Sequence, residues 1–256
     1  MTLVILMFTS LPRPTIFAHR GASASAPENT LAAFELALEQ NADAIELDVK
    51  LSADGQVIVI HDRKVDRTTN SQGRVKDLSL SELQSLDAGS FFSEEYEGEQ
   101  IPTLEEVFEV LGKRTFINVE LANYSTARDS LVETVCMLVK KSGLQKRVMF
   151  SSFFASNLSK ARAYLPEVPS SLLAFPGWPG AWARSFGFYF GKYQALHPHV
   201  TDVTPQQVQR VHRLRRRIHV WTVNAAEDMR RLFRWGVDGI FTDDPQLALQ
   251  VRGESK

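Results

Sequence analysis

The hydrophobic and polar positions of this chain alternate between two spacings from one end to the other. Short apolar runs are followed by longer stretches in which apolar residues recur at helical spacing. The runs predict eight strands, at residues 16–19, 44–49, 116–121, 147–151, 172–175, 194–197, 219–223 and 239–242. The stretches predict eight helices, at residues 30–40, 103–111, 126–141, 155–164, 180–190, 205–213, 226–235 and 245–251. Eight strand–helix units in one chain of this length predict a closed α/β barrel, the (β/α)8 TIM barrel.

A ninth apolar run, at residues 57–60, falls outside this alternation. Too few residues separate it from residue 49 to form a parallel crossover, which needs about a dozen residues or more. The Asp54-Gly55 turn signal therefore predicts a hairpin that is antiparallel to the second strand. The polar, Ser-rich stretch that follows contains one short predicted helix, at 78–86. We predict a single domain, residues 1–256, with an insertion at 51–101 between the second strand and second helix that caps the barrel mouth.

Composition narrows the functional class. Lys and Arg number 29 against 30 Asp and Glu, a net charge of -1, which excludes a nucleic-acid binder driven by bulk charge. Cys136 is the only cysteine, so an internal disulfide is excluded, and its apolar-periodic surroundings predict a buried small hydrophobe.

The apolar N-terminal run, residues 3–8, has no Lys or Arg before it and is too short to cross a bilayer. It predicts a cytoplasmic chain without a stable membrane anchor, with export as the alternative.

Polar residues stand where predicted strands end, which is where TIM barrels place their active sites. Glu46 and Asp48 lie two apart on the second strand, so both point to the same face. Such carboxylates are costly to bury unless a cation or proton offsets their charge. The residues expected to converge at the mouth are His19, Arg20, Glu46, Asp48, His61 and Glu120.

Three carboxylates from adjacent strands form an all-oxygen site, which suits one hard divalent cation, Mg²⁺ or Ca²⁺, with Mn²⁺ as a third option. Two histidines beside it, with Arg20 next to one of them, are typical of an acid and a base around a phosphate. The alternative for each residue taken singly is an ordinary structural ion pair or hydrogen bond.

Seven segments, in order from His19 to Pro245, resemble the successive motifs of the glycerophosphodiester phosphodiesterase family. They are HRGASASAPENTLAAF, ADAIELDVKLSADGQVIVIHD, DRTTNSQGRVKDLSLSELQSLDAGS, IPTLEEVFEVL, NVEL, WTVN and GVDGIFTDDP. The resemblance implies a (β/α)8 barrel with a small insertion after the second strand. It also implies metal-dependent hydrolysis of a small-molecule glycerophosphodiester to glycerol 3-phosphate and an alcohol.

The resemblance further implies roles for individual residues. His19 and His61 would be the general acid/base pair, Arg20 would hold the phosphate, and the metal ligands would be Glu46, Asp48 and Glu120. Trp221 would pack on the glycerol moiety, with a buried core tryptophan as the alternative.

One position departs from the family pattern. Family members commonly carry a lysine two residues after the third-strand glutamate, where this chain has Ala122. Lys50 and Lys192 are conceivable substitutes, although solvation at the surface is expected for both. The missing charge leaves open a catalytically silent barrel that binds phosphodiesters.

Residues 176–193 are unusually aromatic. Trp182, Phe186, Tyr189 and Phe190 fall at helical spacing, which predicts a helix that faces the core. Trp178 precedes that helix and either packs within its loop or receives an alkyl chain or membrane surface. The second reading motivates an alternative function, a lysophospholipase D that acts on lipid-bearing diesters.

Four further residues near predicted strand or helix ends complete the set of candidates. Asn29 or Thr30 is expected to cap the first helix, with a substrate contact by Glu28 as a lesser alternative. His197 is expected at the rim of the mouth.

Overall fold

A computed structural model describes residues 10–126 and 128–254 of the chain. Within these residues, nine strands form one sheet, and eight of them are parallel and close into a barrel. The strands are β1 (Thr15–His19), β2 (Ala44–Leu51), β3 (Val57–Val59), β4 (Phe116–Leu121), β5 (Val148–Ser152), β6 (Ser170–Ala174), β7 (Ala195–Pro198), β8 (Arg217–Val220) and β9 (Gly239–Thr242). Closure comes from β1, which pairs with both β2 and β9. The predicted TIM barrel is confirmed.

Helices follow the barrel strands and cover the outside of the barrel. They are α1 (Leu31–Glu39), α2 (Leu80–Gln84), α3 (Leu104–Leu111), α4 (Leu131–Lys141), α5 (Ala155–Tyr164), α6 (Phe188–Phe190), α7 (Pro205–Arg213), α8 (Ala226–Trp235) and α9 (Pro245–Glu254). Side-chain caps fix several starts: the hydroxyl of Thr103 accepts from the backbone N–H of Glu106, whose carboxylate accepts from the backbone N–H of Thr103. These helices begin where the sequence pattern predicts, because the capping residue types can be recognised from the local sequence alone.

The alternation of side chains along each strand separates two apolar layers. One set points outward and packs beneath the helices, and includes Ile45, Leu47 and Val119. The other set fills the barrel interior, where the rings of Phe17 and Phe241 stack with centroids 4.6 Å apart. Since Phe17 points inward, His19, two residues later on β1, points to the same interior at the strand's carboxyl end.

The predicted hairpin is present. β3 runs antiparallel to the end of β2, with Val59 opposite Val49 and Val57 opposite Leu51. The segment that follows builds a small apolar cluster of its own around Ile58, Ile60, Val65, Val75, Leu83, Ala88 and Ile101. It also reaches the loop between β1 and α1, where the Tyr96 hydroxyl donates to the carbonyl of Ser25 at 3.1 Å.

The core-facing helix predicted at 180–190 is wrong. The chain makes short turns at Trp178–Gly180 and Ala183–Gly187 before the single turn of α6. Trp182, Phe186 and Phe190 face solvent, with exposed fractions of 56%, 69% and 82%, while Tyr189 packs against the core. Trp178, in the preceding turn, is 91% exposed. The backbone of Ser185, with φ of -127° and ψ of -113°, interrupts the helical geometry, so helical spacing does not produce a buried face.

Two other predictions concern the parts of the chain outside the barrel wall. Cys136 is buried in α4, as predicted, and burial raises the pKa of its thiol to about 12. The N-terminal run at 3–8 lies outside the described residues. Among those that are described, no helix is long and apolar enough to cross a membrane.

Candidate active site

Three carboxylates meet at the carboxyl end of the barrel. Glu46 and Asp48 project inward from β2, and the register between β2 and β4 places Asp48 directly beside Glu120. One oxygen from each of the three carboxylates lies within 4.8 Å of the others. This convergence follows from period-two side chains on two neighbouring parallel strands.

Burial and mutual repulsion shift the ionisation of this cluster. Burial, followed by the charge of Asp48, raises the pKa of Glu46 well above its ordinary value and that of Glu120 to about 8. Burial also acts to raise the pKa of Asp48, but the nearby guanidinium of Arg20 and the other cationic groups outweigh it and lower that pKa. The cluster thus holds more negative charge than its surroundings offset, which suits a divalent cation with oxygen ligands.

Arg20 follows β1 and lies against the carboxylates. Its Nε is 3.3 Å from Oδ2 of Asp48, and its backbone N–H donates to the carbonyl of Glu46 at 3.0 Å. Asn29 donates a hydrogen bond to the same carboxylate, from Nδ2 to Oδ2 of Asp48 at 3.1 Å. Asn29 is therefore not the cap of α1; Thr30 is, since its hydroxyl accepts from the backbone N–H of Ala33.

A chain of alternating charges connects Arg20 to His61. The guanidinium of Arg20 donates to Glu28 at 2.9 Å, and Glu28 accepts two further bonds from Arg67 at 2.6 and 2.9 Å. Arg67 also donates from Nε to Asp62 at 2.7 Å, and Asp62 lies 2.7 Å from Nδ1 of His61. Glu28 is thus engaged by two arginines, which accounts for its position without a substrate contact.

Both candidate catalytic histidines have the same kind of partner. Nδ1 of His19 lies 2.6 Å from Oδ1 of Asp243, and Nδ1 of His61 lies 2.7 Å from Oδ1 of Asp62. An ionised carboxylate can only accept, so each Nδ1 carries a proton and Nε2 is the nitrogen left for proton transfer. Burial acts to raise the pKa of Asp62, but hydrogen bonds from Arg67 and His61 lower it to about 2.

One cavity of about 230 Å³ contains all seven residues singled out in the sequence. These are His19, Arg20, Glu46, Asp48, His61, Glu120 and Trp221. Phe153, Phe175 and Phe241 form an aromatic part of the remaining wall, which also includes Leu173 and the polar Asn118, Ser151 and His197. The Trp221 indole N–H donates to the carbonyl of His197 at 2.8 Å, and its ring meets that of Phe153 edge to face. The pocket therefore has a charged side and an aromatic side.

Two expectations about nearby residues are wrong. Lys50 is not solvated at the surface: it is 9% exposed, and its ammonium donates to the carbonyl of Ala122 at 3.0 Å. His197 lines the pocket but is fully buried rather than at its rim, with Nε2 3.1 Å from Nδ1 of His219. Burial lowers the pKa of His197 to about 3. Lys192 is exposed, as expected.

The predictions from sequence did not indicate that several residues position the pocket. Asp62 and Asp243 orient the histidines, Asn29 contacts Asp48, and the Tyr124 hydroxyl donates to Oε1 of Glu120 at 2.8 Å. Asp62 and Asp243 lie within the HD and TDDP segments, so those motifs contained the signal. Tyr124 lies in an irregular loop and has no comparable local pattern.

Comparisons with known proteins agree with this geometry. The sequence pattern of the Glycerophosphoryl diester phosphodiesterase family matches residues 19–247. The chain belongs to this family. A glycerophosphodiester phosphodiesterase from Caldanaerobacter subterraneus is 40% identical over 237 residues, which cover 92% of this chain and 96% of the relative. A glycerophosphodiester phosphodiesterase from Bacillus altitudinis is 37% identical, over 94% of this chain and 99% of the relative.

Solved structures of this family have the same fold. A phosphodiesterase from Oleispira antarctica, in complex with the product sn-glycerol-3-phosphate, matches with a TM-score of 0.88 at 32% identity, over 96% of this chain and 99% of that one. A glycerophosphodiester phosphodiesterase from Agrobacterium tumefaciens matches with a TM-score of 0.80 at 30% identity, over 92% and 99%. The predicted family and the prediction of a phosphoric diester hydrolase are thereby confirmed.

Proposed function

We propose that the chain hydrolyses glycerophosphodiesters to glycerol 3-phosphate and an alcohol, with His19 and His61 as general acid and base. The observation that carries this is the pair of imidazoles, each with Nδ1 on a carboxylate, in one cavity with the carboxylate cluster. The product complex of the Oleispira antarctica relative supports the substrate class.

Glu46, Asp48 and Glu120 would hold one divalent cation, which when bound offsets the charge of the phosphodiester. Mg²⁺ and Ca²⁺ both suit three carboxylates, and Mn²⁺ is a third option. The available ligand atoms are all carboxylate oxygens, and burial followed by the charge of Asp48 raises the pKa values of Glu46 and Glu120.

The chain's own residues supply the remaining steps. The guanidinium of Arg20 binds the phosphate and shares its charge. One imidazole takes the proton of the attacking hydroxyl at Nε2, and the other gives a proton to the departing alkoxide. Trp221 and Phe153 contact the glycerol carbons on the aromatic side of the pocket.

Lys50 is the proposed replacement for the lysine that the family pattern has at position 122. Its ammonium lies at the carbonyl of Ala122, beside the pocket, and bears the positive charge that Ala122 lacks. Residues 51–101 are proposed to cap the mouth, because they carry His61, Asp62 and Arg67 to its edge.

Release of glycerol 3-phosphate from glycerophosphocholine tests the proposal. We expect activity with Mg²⁺, Ca²⁺ or Mn²⁺, its loss on chelation, and decreases of about 10²- to 10⁴-fold in His19→Ala and His61→Ala. His212→Ala, on α7 and outside the cavity, is the matched control and should retain activity. No release with any of the three cations, together with retained binding of the diester, would indicate a silent binding barrel instead.

The exposed aromatic residues favour a second candidate, hydrolysis of lipid-bearing diesters in the manner of a lysophospholipase D. Phe175 lines the cavity, stacks on Phe153 at 4.0 Å and stands two residues before exposed Gly177-Trp178. An acyl chain on the glycerol could thus leave the pocket along aromatic side chains. Activity on lysophosphatidylcholine but not on glycerophosphocholine would establish this second function and reject the first.

A further inference from the structure

A second, larger cavity lies beside the active-site pocket and is strongly basic. It encloses about 580 Å³, and its lining includes Lys50, Arg63, Lys64, Arg74 and Lys76 against a single acid, Asp62. We call this cavity the basic groove. A concave surface with five cations and one carboxylate produces a positive potential that concentrates anions.

The basic groove and the active-site pocket share a connecting space of about 310 Å³. His61 and Glu120 line both that space and the pocket, while Lys50 and Asp62 line both that space and the groove. A ligand centred on the carboxylate cluster can therefore extend past His61 into the groove without leaving the protein surface.

The positive charge of the groove is only partly neutralised. Lys64 pairs with Asp66 and Lys76 pairs with Asp77, while Asp62 is occupied by Arg67 and His61. Within residues 10–126 and 128–254, no carboxylate lies within ion-pair distance of Arg63 or Arg74.

Lys50 is the deepest cation of the groove. It is 9% exposed, and its ammonium makes one hydrogen bond, to a backbone carbonyl, without a carboxylate at ion-pair distance among the described residues. In the proposed function its charge serves the phosphate at the carboxylate cluster, so Arg63 and Arg74 are the cations of the groove that remain for a second anion.

The two sides of the carboxylate cluster fit the two arms of a diester differently. Phe153, Phe175 and Trp221 form the aromatic side of the pocket, which suits glycerol carbons, while His61 and Glu120 open toward the cations. A phosphate held at the carboxylate cluster therefore directs its leaving alcohol into the basic groove.

We propose that the basic groove is a subsite for a phosphate group carried by the leaving alcohol. The preferred substrates are then glycerophosphodiesters whose alcohol bears a second, anionic phosphate. This inference rests on the proposed function and adds the class of alcohol to it.

A matched pair of substrates tests the subsite, glycerophosphoinositol and glycerophosphoinositol 4-phosphate. We expect kcat/KM to favour the phosphorylated compound by about tenfold at low ionic strength, and the preference to shrink as salt screens the groove. Arg63→Gln and Arg74→Gln should each lower that preference by about threefold or more. Arg213→Gln removes an equal charge at the end of α7, outside the groove, and should leave the preference for the phosphorylated substrate unchanged.

An equal kcat/KM for the two substrates, or a preference that both groove variants retain, overturns the subsite. If the wild type releases no glycerol 3-phosphate from either compound, the proposed function fails, and calorimetric binding of the same two compounds decides the subsite separately. Tighter binding of glycerophosphoinositol 4-phosphate that Arg74→Gln weakens would support it, and equal binding would reject it. Both arginines are exposed, so these variants are expected to fold.

Discussion

Nδ1 of His19 lies 2.6 Å from Oδ1 of Asp243, a residue 224 positions later in the chain. The contact is possible because β1 pairs with β9, which brings the loop after the last strand beside the end of the first. Asp243 is itself fixed by Asn224 and Ser23. Barrel closure thus sets the orientation of a candidate catalytic imidazole.

Asp243→Asn should impair catalysis more than binding. The amide no longer holds the proton on Nδ1, so the imidazole of His19 loses its fixed tautomer, and we expect kcat to fall about 10- to 100-fold with a small change in KM. Steady-state kinetics on glycerophosphocholine measure both. Asp244→Asn is the control, because asparagine can still accept from the backbone N–H of Leu247. A rise in KM at unchanged kcat would contradict the assigned role.

The Lys50 ammonium should be exchangeable with one placed at position 122. Lys50→Met removes a charged donor to phosphate worth about 1.5–3 kcal/mol, so KM should rise about tenfold or more. The double variant Lys50→Met, Ala122→Lys should recover most of the loss, because residue 122 lines the same space. Ala122→Lys alone would bring two ammonium groups together and should not improve on the wild type. Absence of any recovery in the double variant would reject the exchange.

A divalent cation should stabilise the fold through the carboxylate cluster. A ligand at 100 times its Kd adds about 2.7 kcal/mol to the free energy of unfolding, which raises Tm. The rise should disappear with chelator and in Glu120→Gln, but persist in Glu109→Gln, where the carboxylate is exposed on α3. Thermal unfolding by circular dichroism reports this without turnover. An equal rise in Glu120→Gln and the wild type would show that the cation binds elsewhere.

Stability should fall in mild acid because of His197. Its folded-state pKa of about 3 lies below the ordinary 6.5, so between these values the unfolded chain takes up a proton that the folded protein does not. The contribution of neutral His197 to the free energy of unfolding is complete above pH 6.5. It is lost as the pH falls toward 3, at about 1.4 kcal/mol per pH unit.

Denaturant unfolding at pH 7.5 and 5.5 measures that loss. The free energy of unfolding should differ between pH 7.5 and pH 5.5, and His197→Gln should reduce that difference by about 1.4 kcal/mol. This holds whatever the effect of the substitution on stability at pH 7.5. Buried His219, whose pKa is also lowered by burial, keeps its own contribution in the variant. An unchanged difference would show that His197 does not cause the acid sensitivity.

The barrel and the three carboxylates could be predicted because both follow from local periodicity. Apolar runs alternate with helical stretches along the chain, and residues two apart on a strand share a face, so Glu46 and Asp48 could be oriented without coordinates. The hairpin before His61 followed from the short distance between two apolar runs.

The features that were missed depend on contacts between distant parts of the chain. Lys50 was expected in solvent, but it lies along the inner end of β2 and reaches the β4 end at Ala122. Asn29 or Thr30 was expected to cap the first helix, and Thr30 does, while Asn29, with a positive φ of 59°, donates to Asp48. The aromatic residues of 182–190 have helical spacing, but the non-helical backbone at Ser185 interrupts the helix.

The chain of charges from Arg20 through Glu28, Arg67 and Asp62 to His61 has a consequence for protein engineering. One of its ion pairs, Glu28–Arg67 with two hydrogen bonds, joins the barrel loop to the insertion, so residues 51–101 are not an independent module. A chimera that receives this segment from another phosphodiesterase must also keep an acid at 28 opposite an arginine at 67. To change the substrate range of such a hybrid, residue 28 must therefore be exchanged together with the inserted segment, because grafting a segment without that arginine would break the ion pair.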